Sequence, residues 1–149
     1  MANHVRRQIR EAIATAVTGL TTTGARVYQS RVYPLADANL PCLLVFSTDE
    51  TSTAETIHAP VTLARDLRVQ VTAYAKAVAD LDDTLDLICK EVETALMAPP
   101  AAVIALARSI VLSATRIDMQ GTSEKPVGRA AMSFDLQYFT AGNAPDVAL

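Results

Sequence analysis

The sequence predicts an α+β domain: a mostly antiparallel β-sheet of about five strands with two α-helices packed on one face. The predicted order is α-β-β-β-α-β-β. Three observations lead there. Val5, Ile9, Ile13 and Val17 recur every four residues, as the apolar stripe of an amphipathic helix does. Leu67, Val69, Val71 and Ala73 alternate with Arg68, Gln70, Thr72 and Tyr74, the period of a strand with one buried face. Helical patterns are few, and the strand-like segments are mostly separated by turn residues, which favours hairpins over crossover helices.

Residues 2–18 read as the first helix, with Asn3 as N-cap, Ala12 and Ala16 widening the stripe, and Gly19 as the stop. Residues 25–33 read as a strand, and Pro34 with Asp37-Ala38-Asn39 as a turn. Cys42 to Thr48 is apolar without alternation and is expected to be buried on both faces. Residues 49–64 are polar and acidic before Arg65 and are expected to form a long loop or mobile hairpin. The alternating strand 67–74 comes next. A second helix spans about 80–97, with Asp80 as N-cap and Leu81, Leu85, Ile88, Val92 and Leu96 as its stripe. Pro99-Pro100 ends it, and 101–107 has room for one helical turn. Segments 109–119 and 129–140 read as a closing hairpin around the loop 120–126. Residues 1–140 form one domain, and 141–149 is expected to be a flexible C-terminal tail.

Composition narrows the function. The chain has 149 residues, half of them hydrophobic and 19% charged, with a net charge of −3 and no Trp. That length buries roughly 70% of the unfolded surface, so no disulfide or metal staple is needed. The acidic balance argues against a protein whose main work is neutralising phosphates. No apolar run approaches the roughly 20 residues of a membrane span, and the start lacks a signal-peptide pattern, so a soluble protein of a reducing cytoplasm is expected. Cys42 and Cys89 sit in apolar runs and read as buried small hydrophobes.

No catalytic constellation emerges from the residues. The five glycines are dispersed at turns, there is no nucleophile elbow, and neither His4 nor His58 has metal-ligand spacing with the cysteines. No catalytic residue, cofactor or metal ligand is expected. His58, in the polar segment with Glu50 and Glu55, reads as a loop or interface residue rather than a base. Asp80, Asp82, Asp83 and Asp86 read as a solvated helix N-terminus more than a cation site. Arg6, Arg7 and Arg10 read as a solvated or subunit-facing helix face, and Arg116 and Arg129 as candidate ion-pair partners across an interface.

Taken in order, these segments resemble the tail-terminator (minor tail protein U-like) family of long-tailed bacteriophages. The likeness covers roughly residues 5–140 and is one of order and texture. It rests on the helix Val5 to Val17, the Gly-Ala-Arg-Val-Tyr strand, and the Ala38-Asn39-Leu40-Pro41-Cys42-Leu43-Leu44-Val45 turn and strand. The acidic Thr/Glu-rich segment, the strand 67–74, the Asp-rich helix and the Met97-Ala-Pro-Pro-Ala-Ala-Val-Ile stretch continue it.

The resemblance implies a non-enzymatic virion protein at the tail-neck junction, assembled in the bacterial cytoplasm. It would form a homo-hexameric ring that caps the tail tube, stops its polymerisation and meets a head-completion or connector protein. DNA would pass through the lumen without sequence-specific binding. A neck stopper protein is the nearest alternative. A small cytoplasmic ligand-binding domain or enzyme, with a pocket around His58, Glu55 and Arg65, is the more distant one. On the ring reading, Arg6 and Arg10 would face Asp82, Asp83 and Asp86 between subunits. Asp49, Glu50, Glu55, His58, Arg65, Glu124, Lys125 and Arg129 would face tube, lumen or neck.

Overall fold

A computed structural model describes residues 2–29, 37–76, 78–120 and 127–149 of the protein. The element order is α1 (Val5–Ala16), β1 (Val27–Tyr28), a 3-10 turn (Asp37–Asn39), β2 (Cys42–Ala54), β3 (Thr62–Lys76), α2 (Leu81–Met97), α3 (Ala101–Ile104), β4 (Ser109–Gln120), β5 (Val127–Ala141) and β6 (Ala144–Ala148). The fold is α+β, as expected. The strands form one sheet in the order β1-β2-β3-β5-β4, with β6 added to β5 beyond the end of β4. All pairings are antiparallel except the short β1–β2 contact, so the sheet is mixed.

β3 is the spine. It pairs with β5 without interruption from Thr62↔Ala141 to Lys76↔Val127, and with β2 from Cys42↔Tyr74 to Ala54↔Leu63. Its odd positions Leu67, Val69, Val71, Ala73 and Ala75 are buried on one face. Met132, Phe134, Leu136 and Tyr138 of β5 and Leu43 and Val45 of β2 extend that face. α1 lies over β2, and α2 lies over β3, β5 and β4. Val5, Ile9 and Ile13 of α1 and Leu85, Ile88, Val92 and Leu96 of α2 close the core. Cys42 and Cys89 are buried free thiols, raised by burial to about 11 and therefore unreactive near neutrality.

Several boundaries differ from the sequence expectation. Of the two alternatives for the polar segment 49–64, the structure shows the hairpin: β2 runs to Ala54 and β3 starts at Thr62, leaving only 55–61 as a turn. Thr and Ser suit an exposed strand once a neighbour supplies the ladder, which local polarity does not reveal. Residues 144–148 form β6, where the sequence reads as a tail. The first strand is limited to Val27–Tyr28 within the described residues, and 30–36 lie outside them. The Leu40–Pro41 and Ala59–Pro60 peptide bonds are cis.

Two bulges set which residues share a face of the sheet. One lies between Ser47 and Asp49 in β2, the other between Leu112 and Ala114 in β4. They sit at the same height, since Ser47 pairs with Val69, Val69 with Phe134 and Phe134 with Leu112. Each bulge inserts one residue and reverses the side-chain parity beyond it.

The cap of α1 is His4 rather than Asn3. His4 Nδ1 accepts the Arg6 N–H at 3.1 Å, while Asn3 Oδ1 accepts from the Arg7 guanidinium. Burial, then the Arg6 charge, lowers the His4 pKa below its ordinary 6.5. The folded state thus prefers the neutral ring that can accept the bond. Its stabilising contribution is present above the unfolded value and is lost as pH falls through the lower folded value. Urea titrations from about pH 7 to about pH 5 should show this loss, and His4→Asn, which caps without titrating, should remove that component. In the core, Phe134→Ala should lower unfolding free energy by about 3–5 kcal/mol, read in the same titration.

Candidate assembly surfaces

The β2 bulge decides which acidic residue turns inward. Without it, Asp49 would share a face with Val45; with it, Glu50 pairs beside Leu67 on the helix side and Asp49 beside Arg68 on the outer side. Glu50 there accepts from three groups. Its Oε2 accepts from Arg6 Nη1 at 2.7 Å and Arg65 Nη1 at 3.3 Å, and its Oε1 accepts from the Tyr138 hydroxyl. Arg65 Nε donates to Thr140 Oγ1 at 2.9 Å, and its guanidinium lies over the Tyr138 ring. The Glu50 and Arg65 side chains are 8% and 11% exposed. Burial and the hydrogen bond to Glu50 raise the Tyr138 pKa, keeping its proton in place as a donor. The cluster ties α1 to β2, β3 and β5. It is a structural lock.

The structure therefore separates residues that the sequence groups together. Glu50 and Arg65 are strand residues of the lock, and Arg6 is bound to it. Glu55 and His58 lie in the exposed turn 55–61, so Arg65, Glu55 and His58 do not converge on a pocket. Ile57, at the tip of that turn, is 93% exposed. Nothing in the sequence singles it out, because one Ile in a polar stretch has no periodicity to betray it. Asp82, Asp83 and Asp86 are exposed in the first turns of α2, and Arg10 donates to Gln29 at 3.3 Å. Glu124 and Lys125 lie outside the described residues.

The outer sheet face is polar and held by cross-strand partners. Arg68 pairs with Asp135, Arg129 with Asp118, and Gln137 with Asp66, each directly opposite in register. The guanidinium bonds hold the Asp135 and Asp118 carboxyls below their ordinary pKa. Such exposed pairs contribute little net stability, but they mark the correct register. A groove of about 490 Å³ runs between the Gly19-Leu20-Thr21 turn and the Leu87, Lys90, Glu91, Thr94 and Ala95 side of α2. Among the described residues no three His, Cys, Asp or Glu gather in a way that could hold a metal, and no helix is long and apolar enough to cross a membrane.

The last surface is the edge strand β4. Ser113 to Met119 are all exposed, and Val111, Ile117 and Met119 are each more than half exposed. The outer edge of β4 pairs with no strand among the described residues.

No protein-family model matches the chain, and no curated protein matches it. Among solved structures, it is similar to a chain of the virion of a native gene transfer agent particle. That match covers 90% of each chain at 16% identity, with a TM-score of 0.38.

The lock makes its own prediction. Glu50→Gln leaves the buried Arg65 charge unpaired and should cost about 3–5 kcal/mol of stability. Arg6→Gln, whose side chain is 41% exposed, should cost less than about 1 kcal/mol. Chemical denaturation of both variants checks the ranking.

Proposed function

We propose that the chain is a structural protein of a phage-like virion, a tail terminator whose hexameric ring caps the tail tube and offers its other face to the neck. The observation that carries this reading is the pair of strand edges left open on opposite flanks of one sheet. β4 bounds one flank, and on the other flank, among the described residues, β1 pairs with β2 at Leu43 and Leu44 and no strand pairs with the Thr48–Ala54 edge. A subunit with two different open flanks is suited to head-to-tail contact, the arrangement that builds rings. The order of elements in the sequence resemblance supports the same reading.

The charge placement fits it. α1 sits over β2 and carries Arg10 on that flank, while the acidic start of α2 sits at the β5–β4 end, where Leu81 abuts Gly128. Arg10 meeting Asp82, Asp83 and Asp86 of a neighbour would set register more than affinity. Arg6 supplies less to such a contact, because Glu50 already holds it. The tip of the β2–β3 hairpin presents Ile57 between Glu55 and His58, an apolar knob suited to a groove on the tube.

Negative-stain imaging and light scattering of the protein, alone and mixed with tail tubes, test the reading. Rings, or caps at one tube end, are expected; a monomer that never decorates tubes would refute it. Ile57→Asp should abolish capping while leaving the folded signal and melting curve unchanged. Arg10→Glu should weaken assembly about two- to fivefold at low salt and less at about 1 M salt.

A further inference from the structure

We infer that the exposed edge of β4 is completed by the Thr48–Ala54 edge of β2 from a second copy of this chain, through antiparallel strand addition. This deepens the ring reading and rests on it.

The β4 edge is incomplete on its own. β4 exposes both faces from Ser113 to Met119 together with its outer edge, yet it carries Ile117 and Met119 on the helix side and Val111 on the other. Apolar side chains on a long open edge invite a further strand. Strand direction suits the same joint. β2, β3, β5 and β4 alternate in direction, so β4 runs opposite to β2. A copy placed beside the first with the same face outward therefore presents β2 antiparallel to β4. The even strand count makes the head-to-tail contact a regular ladder.

Charge selects the occupant. Among the described residues Arg116 of β4 makes no ion pair. Asp49 on the β2 edge and Glu55 just beyond it make none either, and Thr51, Ser52 and Thr53 between them are exposed and uncharged. Arg116 and Asp49 both point to the outer face, as their partners Ala131 and Arg68 show. A basic edge thus meets an acidic one on the same side of the joined sheet. β4 against β4 of another copy would instead bring Arg116 toward its own kind.

Cysteine pairing tests the contact. Ala114 is exposed on the outer face of β4, and Asp49, Thr51 and Thr53 are exposed on the outer face of β2. Directly opposed residues in a ladder lie about 4.5–5.5 Å apart, within disulfide reach. Buried Cys42 and Cys89 stay silent under mild oxidation. An Ala114→Cys chain mixed in turn with Asp49→Cys, Thr51→Cys and Thr53→Cys chains should give a disulfide-linked dimer with one of the three, and no dimer from any chain alone. A second measurement, Arg116→Glu, should weaken assembly, and added Asp49→Arg should restore it. No cross-link with any partner, or a dimer from Ala114→Cys alone, overturns the inference. Tube capping measured on the same chains keeps the two ideas apart. Capping without the cross-link removes this contact and leaves the terminator reading. The cross-link without capping removes that reading and leaves the contact.

Discussion

Pairing of β3 on both sides along nearly its whole length is the constraint on which the rest of the structure depends. A strand with ladders on both edges cannot slip by one residue without turning Leu67, Val69, Val71 and Ala73 out of the core. Its register therefore fixes which face the helices cover. It also fixes which residues of β2 and β5 stand beside each other. Phe134, Leu136 and Tyr138 become the floor of the core because they lie opposite Val69, Leu67 and Arg65.

The lock around Glu50 shows how one inserted residue changes chemistry. The bulge after Ser47 exchanges the faces of Asp49 and Glu50, bringing a carboxylate to the edge of an apolar core. It is tolerated there because two arginines and a tyrosine hydroxyl satisfy it. Arg65, alone among the charged residues of β3 in being buried, shares the same compensation. The cluster also adds a polar tie between α1 and the sheet beside the apolar contacts of Val5, Ile9 and Ile13.

The surfaces outside the lock divide by kind. On the outer sheet face Arg68 and Asp135, and Arg129 and Asp118, are paired strand against strand, whereas Arg116 and Asp49 near its two flanks make no ion pair among the described residues. Among the described residues, the β4 edge, the Thr48–Ala54 edge of β2 and the Ile57 tip leave backbone or apolar groups in water. Those costs are what a subunit would relieve on joining others. The assembly role proposed above would relieve these costs.

The sequence alone determined the fold class, the two long helices and the strand pattern at 67–74, because burial of one face imposes a period that local residues must obey. The apolar positions Val5, Ile9, Ile13, Leu85, Ile88 and Val92 were legible for that reason. It also showed the buried character of both cysteines. The extent of β2 through Thr51-Ser52-Thr53 was not legible, since a polar strand owes its existence to a ladder with a distant neighbour. The final strand β6 was hidden for the same reason. The ion pairs Arg68–Asp135 and Arg129–Asp118, and the convergence of Arg6, Glu50, Arg65 and Tyr138, join residues up to 88 positions apart. Only tertiary register, with its two bulges, decides which of them share a face, and therefore which charges are locked inside and which edges are left open.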